Sequence, residues 1–319
     1  FINKMIKSIN KKYNLCGILS CSFYYGQDYP YIFSSVKNAP FYCLFKEYMK
    51  DEIMVNTTIE KYKKNQYKFH GDTIFLANNC VKKILIDSSV CDDKQLKVIG
   101  SPRFDEIFYS DRLYLNKKRN QITLFSFFHS SGLVRLKCQD NFFTSDENDG
   151  FFNLFRDTHI TFVELAEMNK DIDFVIKTKF DGHWHDQINQ TIYDAMGIDL
   201  KNVTNIKLIA EGSVHDIIRD SSVVVAFNST TVLESLAMGV DVVLPIFHEA
   251  KYKYSKTNVM FTKYFKYLNI ASSKEQLMNK VLEGHFDQNK KFNLPEQMAV
   301  DFIGYFDGNS VNRFIKKIV

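Results

Sequence analysis

The chain has 319 residues, a formal net charge of +4, 45% hydrophobic residues and 24% charged residues. This balance excludes wholesale disorder, because a chain with 29 Phe and 17 Tyr must bury aromatic surface in water. No apolar run approaches the roughly 20 residues that a membrane-spanning helix needs. The sequence also lacks the charged and then apolar segments of a signal peptide, so we expect a cytoplasmic protein. At roughly 100–200 residues per domain, the length predicts two domains.

Short apolar runs alternate with longer amphipathic stretches along the chain. The apolar runs predict strands that are buried on both faces, at residues 15–20, 41–45, 73–77, 96–99, 122–127, 174–178, 206–210, 223–227 and 242–246. The amphipathic stretches predict helices at residues 158–169, 188–196, 214–219, 230–238, 274–283 and 311–318. The alternation of strands and helices predicts an α/β fold with parallel sheets and helices on both faces.

The charge is distributed unevenly along the chain. A charged stretch at 105–119 precedes the strand at 122–127, and we place the domain boundary there, between 1–119 and 120–319. The first part carries 20 basic and 12 acidic residues, a net +8, whereas the second carries 21 and 25, a net −4. A basic first domain is suited to an anionic membrane surface or an anionic acceptor, although a solvated lysine-rich face is the simpler interpretation.

The six cysteines of the sequence do not form a metal-binding pattern. They lack Cys-x-x-Cys spacing, and several lie in apolar runs that predict strands. We therefore expect small buried side chains in a reducing compartment.

The second half has the clearer site signals. In a doubly wound sheet, ligands bind in the crevice beyond the carboxyl ends of the strands, so the loops that follow those strands predict the site. These loops carry Ser126, His129 and Ser130; Lys179, Asp181, His183 and His185; Glu211, Gly212 and Ser213; Asn228, Ser229 and Thr230; and His248 and Glu249.

The strongest single segment is 220–239. A buried strand is followed by Asn228, Ser229 and Thr230, which open a helix that ends near the next glycine. Hydroxyl and amide side chains at a helix start cap free backbone N–H groups, and the same helix end can bind a phosphate. Glu234 lies one turn further on, where a carboxylate can hold ribose hydroxyls. Ordinary helix capping is the alternative interpretation.

This segment resembles the donor-binding half of GT-B glycosyltransferases. The apolar strand, Asn-Ser-Thr-Thr, a Leu-Glu-Ser-Leu-Ala helix, Gly and a strand ending in Pro are similar to bacterial surface-polysaccharide biosynthesis transferases. Residues 98–105 (Val-Ile-Gly-Ser-Pro-Arg-Phe-Asp) resemble the segment that joins the two domains of those proteins. Residues 40–47 (Pro-Phe-Tyr-Cys-Leu-Phe-Lys-Glu) resemble a first-domain strand that ends at the cleft. With 174–179, the resemblance covers most of residues 15–250.

The resemblance implies two Rossmann-like domains that face a cleft. Residues 1–119 would form the acceptor-side domain and 120–319 the domain that binds the nucleotide-sugar, with the C-terminal helix packing back on the first domain. With about 120 residues, the first domain is short for a GT-B half, or N-terminally truncated.

The resemblance also implies an activity. The implied activity is that of a metal-independent glycosyltransferase, which would move a sugar from a nucleotide-sugar donor to a surface-glycan or lipid-linked acceptor by direct displacement, at the inner face of the plasma membrane. No cofactor, tightly bound metal or nucleic-acid partner is expected.

Residue patterns and resemblance together assign roles to individual side chains. The expected donor contacts are Ser126, His129, Lys179, Glu211, Gly212, His215, Asn228, Ser229, Thr230 and Glu234. Lys179 would offset the charge of the leaving phosphate, and we expect Lys177 to point to the other face of its strand. The resemblance also implies that the general base, which takes the proton of the acceptor hydroxyl, comes from the first domain.

Glu47 is the best candidate for that base, with Asp28 and His70 as rivals. A carboxylate at a helix start is the simpler interpretation of Glu47. Lys46 would pair with Glu47 or contact an anionic acceptor.

Two pairs of residues suggest metals at first sight. Asp171 and Asp173 match the Asp-x-Asp of other glycosyltransferases, but they precede a strand and are expected at the amino edge of the sheet. His183 and His185 have no third ligand nearby. We expect these histidines to bind the base or the sugar, or to lie in a solvated loop.

Three other functions stay open on the same fold. A non-hydrolysing nucleotide-sugar epimerase would need acid and base carboxylates around the sugar. A CDP-alditol phosphotransferase would use a different donor. A non-catalytic nucleotide-sugar-binding module would fit a degenerate first domain.

Overall fold

The computed structural model describes residues 2–13, 17–23, 39–109, 119–128, 150–252, 259–288 and 293–318. The chain divides into two compact units. Unit 1 comprises Phe1–Ser110 and Glu296–Val319, and unit 2 comprises Asp111–Pro295. The candidate residues Asp28, His129 and Ser130 lie outside the described residues.

The described residues form ten strands and twelve α-helices. The strands are β1 (Ile18–Ser20), β2 (Phe41–Leu44), β3 (Thr73–Leu76), β4 (Leu96–Val98), β5 (Gln121–Phe125), β6 (Asp173–Lys177), β7 (Ile206–Ile209), β8 (Ser221–Ala226), β9 (Asp241–Pro245) and β10 (Asn269–Ala271). The helices are α1 (Ile2–Tyr13), α2 (Glu52–Lys64), α3 (Asn79–Asp87), α4 (Pro102–Tyr109), α5 (Phe152–Met168), α6 (His183–Met196), α7 (Val214–Asp220), α8 (Thr230–Ala237), α9 (Glu249–Tyr252), α10 (Lys274–Phe286), α11 (Glu296–Phe302) and α12 (Ser310–Ile318).

Unit 1 contains a four-stranded parallel sheet in the order β1-β2-β3-β4. The segment that carries α11 and α12 belongs to this unit and packs on its sheet, where the ring of Phe314 meets that of Phe75 edge-on at 4.8 Å. The buried carboxylate of Asp105 in α4 accepts hydrogen bonds from the backbone N–H of Ser310 (3.1 Å) and Val311 (2.8 Å). A carboxylate at a helix start is electrostatically favourable, so Asp105 fixes the start of α12.

Unit 2 contains a six-stranded parallel sheet in the order β10-β9-β8-β5-β6-β7. All residues of β8 and β9 are buried, as expected for central strands covered by helices on both faces. The chain runs outward from β5 to β7 and then returns to β8 on the other side of β5. The point where the strand order reverses therefore lies between the carboxyl ends of β5 and β8, which is where ligands bind in such sheets.

The predicted α/β class, the nine predicted strands and the doubly wound second sheet are confirmed, with ends that differ by up to three residues. The sequence missed β10, which has only three residues, and it missed helices α1 to α4, α9 and α11. The charged stretch at 105–119 begins inside α4 and not in a linker. Its first residue, Asp105, is buried and caps the start of α12. Of the described cysteines, Cys43 is buried but Cys21 is exposed, so the expected burial holds only in part.

In the described part of the chain, no helix is long and apolar enough to cross a membrane.

Candidate functional site

The carboxyl ends of β5 and β8 carry aromatic residues that form an apolar floor. The ring centroid of Phe127 lies 5.0 Å from that of Phe227, and Phe151 contacts Phe227 edge-on at 4.8 Å. All three rings are buried. The helices that follow these two strands, α5 and α8, begin at this same edge of the sheet, so their N-terminal ends flank the point where the strand order reverses.

The start of α8 is organised by its own side chains. Asn228 adopts a left-handed conformation (φ 48°), and its Oδ1 accepts the backbone N–H of Met260 at 2.9 Å. Ser229 Oγ accepts bonds from the Thr231 N–H (3.3 Å) and hydroxyl (2.8 Å). The capping interpretation is thus confirmed. The side chains of Asn228, Ser229 and Thr230 are nevertheless only half-buried.

The start of α5 is closed by a carboxylate from another part of the chain. Glu249, which follows β9, accepts hydrogen bonds from the Asn153 N–H (2.9 Å), the Asn153 amide (2.8 Å) and the Leu154 N–H (3.0 Å). A negative charge already occupies this helix end and would repel a second one. The start of α5 is therefore an unfavourable position for an anionic ligand.

An aspartate–histidine pair lies beside Glu249. His248 is left-handed (φ 47°), and its Nε2 lies 2.7 Å from Asp157 Oδ2, while Arg156 Nε donates to Asp157 Oδ1 at 2.9 Å. Burial alone would raise the pKa of Asp157, but the hydrogen bonds from Arg156 and His248 hold it below its ordinary value. The charged Asp157 orients the imidazole of His248. The sequence predicted His248 as a site residue from its position in a loop, but it did not predict Asp157 or Arg156.

Ser126, a predicted donor contact, is held by two buried rings. His159 Nδ1 donates to the Phe155 carbonyl (2.7 Å), so its Nε2 must accept the hydroxyl of Ser126 (2.9 Å). Trp184 Nε1 donates to the same hydroxyl at 3.0 Å. The hydroxyl proton is committed to His159, which leaves Ser126 only as an acceptor for a ligand. Neither His159 nor Trp184 was predicted, because their positions in helices show no site pattern.

Burial of His159 predicts a pH-dependent stability of unit 2. Burial lowers the pKa of His159 to about 4, against an ordinary value of 6.5, although its bond to Phe155 opposes this. Between these pH values the unfolded chain binds one proton more than the folded chain, so stability falls as the pH falls. We expect the free energy of unfolding of unit 2 to fall by about 3 kcal/mol between pH 6.5 and pH 4 because of His159.

Urea unfolding followed by Trp184, the single tryptophan of the sequence, measures this slope. The His159→Gln variant should show a flatter dependence of the unfolding free energy on pH. The His183→Gln variant, changed at an exposed position, should show the same dependence as the unaltered chain. Equal slopes in the unaltered chain and His159→Gln would contradict the prediction.

The two lysines differ in exposure, but the expectation that they lie on opposite faces of one strand is wrong, because residues two apart share a face and β6 ends at Lys177. Lys177 is buried, and its Nζ donates to the carbonyls of Thr178 (2.6 Å) and Ala210 (2.7 Å). Burial lowers the pKa of Lys177. Lys179 is exposed just beyond the strand. Lys177 thus ties together the ends of β6 and β7, and Lys179 is the lysine accessible to a ligand.

The remaining predicted donor contacts divide by exposure. Glu211 and Gly212 are exposed after β7. His215 is 5% exposed, and Glu234 is completely buried in α8. A ligand reaches the Glu234 carboxylate only after the residues that cover it move, so the contact with ribose hydroxyls stays a prediction.

In unit 1, Lys46 is exposed and Glu47 half-buried in the irregular segment that follows β2. The helix-start interpretation of Glu47 is wrong, because α2 begins only at Glu52. Burial lowers the pKa of nearby Lys50, and the charge of Glu47 opposes this shift. The rival base His70 precedes β3 and therefore lies at the amino end of the sheet, opposite to Glu47.

The predicted position of the Asp-x-Asp pair is confirmed, since Asp173 is the first residue of β6. His185 Nε2 is hydrogen-bonded to Thr178 Oγ1 at 2.8 Å. Within the described ranges, no three His, Cys, Asp or Glu side chains come together as metal ligands would.

No protein-family model matches the sequence. A search of curated proteins likewise found no match.

Solved structures with the same architecture are known. A putative UDP-N-acetylglucosamine 2-epimerase from Listeria monocytogenes matches with a TM-score of 0.53 and 15% identity over 98% of this chain and 75% of that one. The UDP-GlcNAc 2-epimerase of Neisseria meningitidis, bound to UDP-GlcNAc, matches with a TM-score of 0.53 and 10% identity over 99% of this chain and 80% of that one. The wall teichoic acid polymerase TagF matches with a TM-score of 0.52 and 14% identity over 88% of this chain and 68% of that one. At these identities the likeness shows the fold, which is the GT-B fold expected from the sequence.

Proposed function

We propose that this protein is a glycosyltransferase that moves a sugar from a nucleotide-sugar donor to a surface-glycan or lipid-linked acceptor. The observation that carries the proposal is the contrast between two helix ends at the reversal point of unit 2. Glu249 closes the start of α5, whereas the start of α8 presents the half-buried Asn228, Ser229 and Thr230. A donor phosphate would bind at α8, where backbone N–H groups and the helix dipole favour negative charge.

The fold supports a nucleotide-sugar ligand. Two proteins of similar fold are described as UDP-N-acetylglucosamine 2-epimerases, one of them putative and the other bound to UDP-GlcNAc. TagF is described as a wall teichoic acid polymerase. For this chain we propose a cytoplasmic location in which unit 1, with its excess of lysine, contacts the inner face of the membrane.

The proposed chemistry is direct displacement at the anomeric carbon. Glu47 takes the proton of the acceptor hydroxyl as that oxygen bonds to the anomeric carbon. The bond from this carbon to the donor phosphate breaks, and its electron pair leaves with the nucleotide. Lys179 and the start of α8 stabilise the charge of the departing phosphate. Lys46 contacts an anionic acceptor or pairs with Glu47, and Glu211, Gly212 and His215 border the base.

Thermal shifts with CMP, CDP, UDP, GDP and their sugars test the donor site. A ligand at 100 times its dissociation constant stabilises the folded chain by about 2.7 kcal/mol, which is readily measured. We expect one nucleotide class to raise the melting temperature selectively. No shift with any of them would contradict the proposal.

A charge placed at the start of α8 should weaken nucleotide binding. Aspartate caps helices about as well as serine, so Ser229→Asp keeps the helix intact while it repels a phosphate. We expect the affinity for the nucleotide to fall at least tenfold, measured by titration. Ser273→Asp is the matched control, because Ser273 caps α10 in the same way, with Oγ accepting the N–H of Gln276 at 3.2 Å. Equal affinities of the two variants would contradict a phosphate site at α8.

The described fold neighbours favour the epimerase as second candidate. An epimerase converts its nucleotide-sugar without any acceptor, so product analysis of donor-only reactions separates it from a transferase. Incubation with a CDP-alditol tests the phosphotransferase alternative, and binding without turnover on any acceptor extract would indicate a non-catalytic module.

A further inference from the structure

Helix α1 of unit 1 presents an apolar stripe that the described residues do not cover. Met5, Ile9 and Tyr13 follow one another at a spacing of four residues, which keeps them near one face of the helix. Their exposed fractions are 44%, 36% and 64%. The other side chains of α1 that the structure describes are exposed as well. Among the residues that the structure describes, none buries the apolar face of this helix.

The charged residues of α1 are all basic. Lys4, Lys7, Lys11 and Lys12 are all exposed, and the helix contains no acidic residue. In the sequence the first carboxylate is that of Asp28. An exposed apolar stripe flanked by lysines, on a helix without any carboxylate, is the pattern of a helix that lies in the interface of an anionic membrane.

Helix α12 of the same unit repeats this pattern on a fixed support. Its apolar Val311, Ile315 and Ile318 share one face and are 43%, 46% and 37% exposed. The next face packs inward through Phe314, while Asp105 holds the start of the helix. The exposed Lys316 and Lys317 border the stripe.

We propose that unit 1 binds anionic membrane surfaces through the apolar stripes of α1 and α12. The stripes enter the interface between headgroups and acyl chains, and each lysine close to an anionic surface strengthens binding about fivefold. The charges disfavour a second copy of the chain as the occupant, because two α1 helices would bring their lysines together without compensating carboxylates. The inference rests on the proposed function in one respect: membrane binding would bring the enzyme to a lipid-linked acceptor.

Vesicle flotation with the full chain tests the proposal without any substrate. We expect binding to phosphatidylcholine vesicles that contain one third phosphatidylglycerol, little binding to pure phosphatidylcholine, and weaker binding at raised salt. Met5→Glu/Ile9→Glu and Val311→Glu/Ile315→Glu should each lower the partition coefficient at least tenfold. The matched control is Ile86→Glu/Val300→Glu, which places the same charges at 38% and 49% exposed positions of the same unit and should bind as the unaltered chain does.

Absence of binding by the unaltered chain would overturn the proposal, and unchanged binding in one stripe variant would overturn it for that helix. A loss of oligomeric mass in the stripe variants, without vesicle binding by the unaltered chain, would indicate self-association instead. Nucleotide thermal shifts on the same variants keep the two proposals apart. Vesicle binding without any nucleotide shift would contradict the donor site and leave the membrane contact standing.

Discussion

Replacing Glu47 with glutamine should lower the rate of sugar transfer by about a hundredfold to ten-thousandfold, the range typical of a lost general base. Glu47 lies directly beyond the carboxyl end of β2, half-buried, and its charge acts on the neighbouring Lys50. Glutamine keeps the size and polarity of the side chain but does not accept a proton. Nucleotide binding, which we assign to unit 2, should be unchanged.

Initial rates at saturating donor, together with nucleotide affinity, measure this effect. Glu60→Gln is the control, because it removes an exposed carboxylate from α2 in the same unit. It should leave the rate unaltered. A Glu47→Gln rate within a few-fold of the unaltered chain would exclude Glu47 as the base.

Replacing Gly304 with alanine should destabilise unit 1 by about 4 kcal/mol. Gly304 has a φ of +82°, and a Cβ there would lie 2.0 Å from the carbonyl oxygen of Ala77. The left-handed conformation costs an alanine about 1–2 kcal/mol, and the overlap with backbone atoms adds about 1–3 kcal/mol. The contact cannot relax easily, because the next residue, Asn78, is itself buried and fixed by hydrogen bonds.

Urea unfolding followed by circular dichroism checks this value. Gly197→Ala is the matched control: its φ is also positive (+67°), but nothing lies within 4 Å of the added Cβ. The control should lose only the conformational term of about 1–2 kcal/mol. Equal losses in the two variants would show that the contact with Ala77 is not restrictive.

The substitution of Gly304 by alanine should also lower activity. Asn78 donates to the carbonyls of Phe302 (2.7 Å) and Tyr48 (3.2 Å), so it joins the C-terminal segment to the loop that carries Glu47. A shift of Ala77 and Asn78 would displace this loop. We therefore expect the rate of Gly304→Ala to fall even under conditions in which the variant stays folded.

Local patterns in the sequence determined most of the sheet framework. Nine of the ten described strands could be located, because strands buried on both faces are continuous runs of β-branched and aromatic residues. The order of the elements also predicted a doubly wound second sheet and placed the loops of the site at its carboxyl edge. The predicted end of the strand also placed Lys179 beyond it, where the structure shows it exposed.

Only the tertiary structure decided that a carboxylate already occupies the start of α5 in unit 2. Glu249 caps α5 from 95 residues away, and the hydroxyl of Ser126 is held by His159 and Trp184, which are 33 and 58 residues distant. The same holds for Asp105, which caps α12 from 205 residues away. Sequence periodicity reports how a residue relates to its own helix or strand. Contacts between elements depend on how the chain brings distant segments together, and no local pattern contains that information.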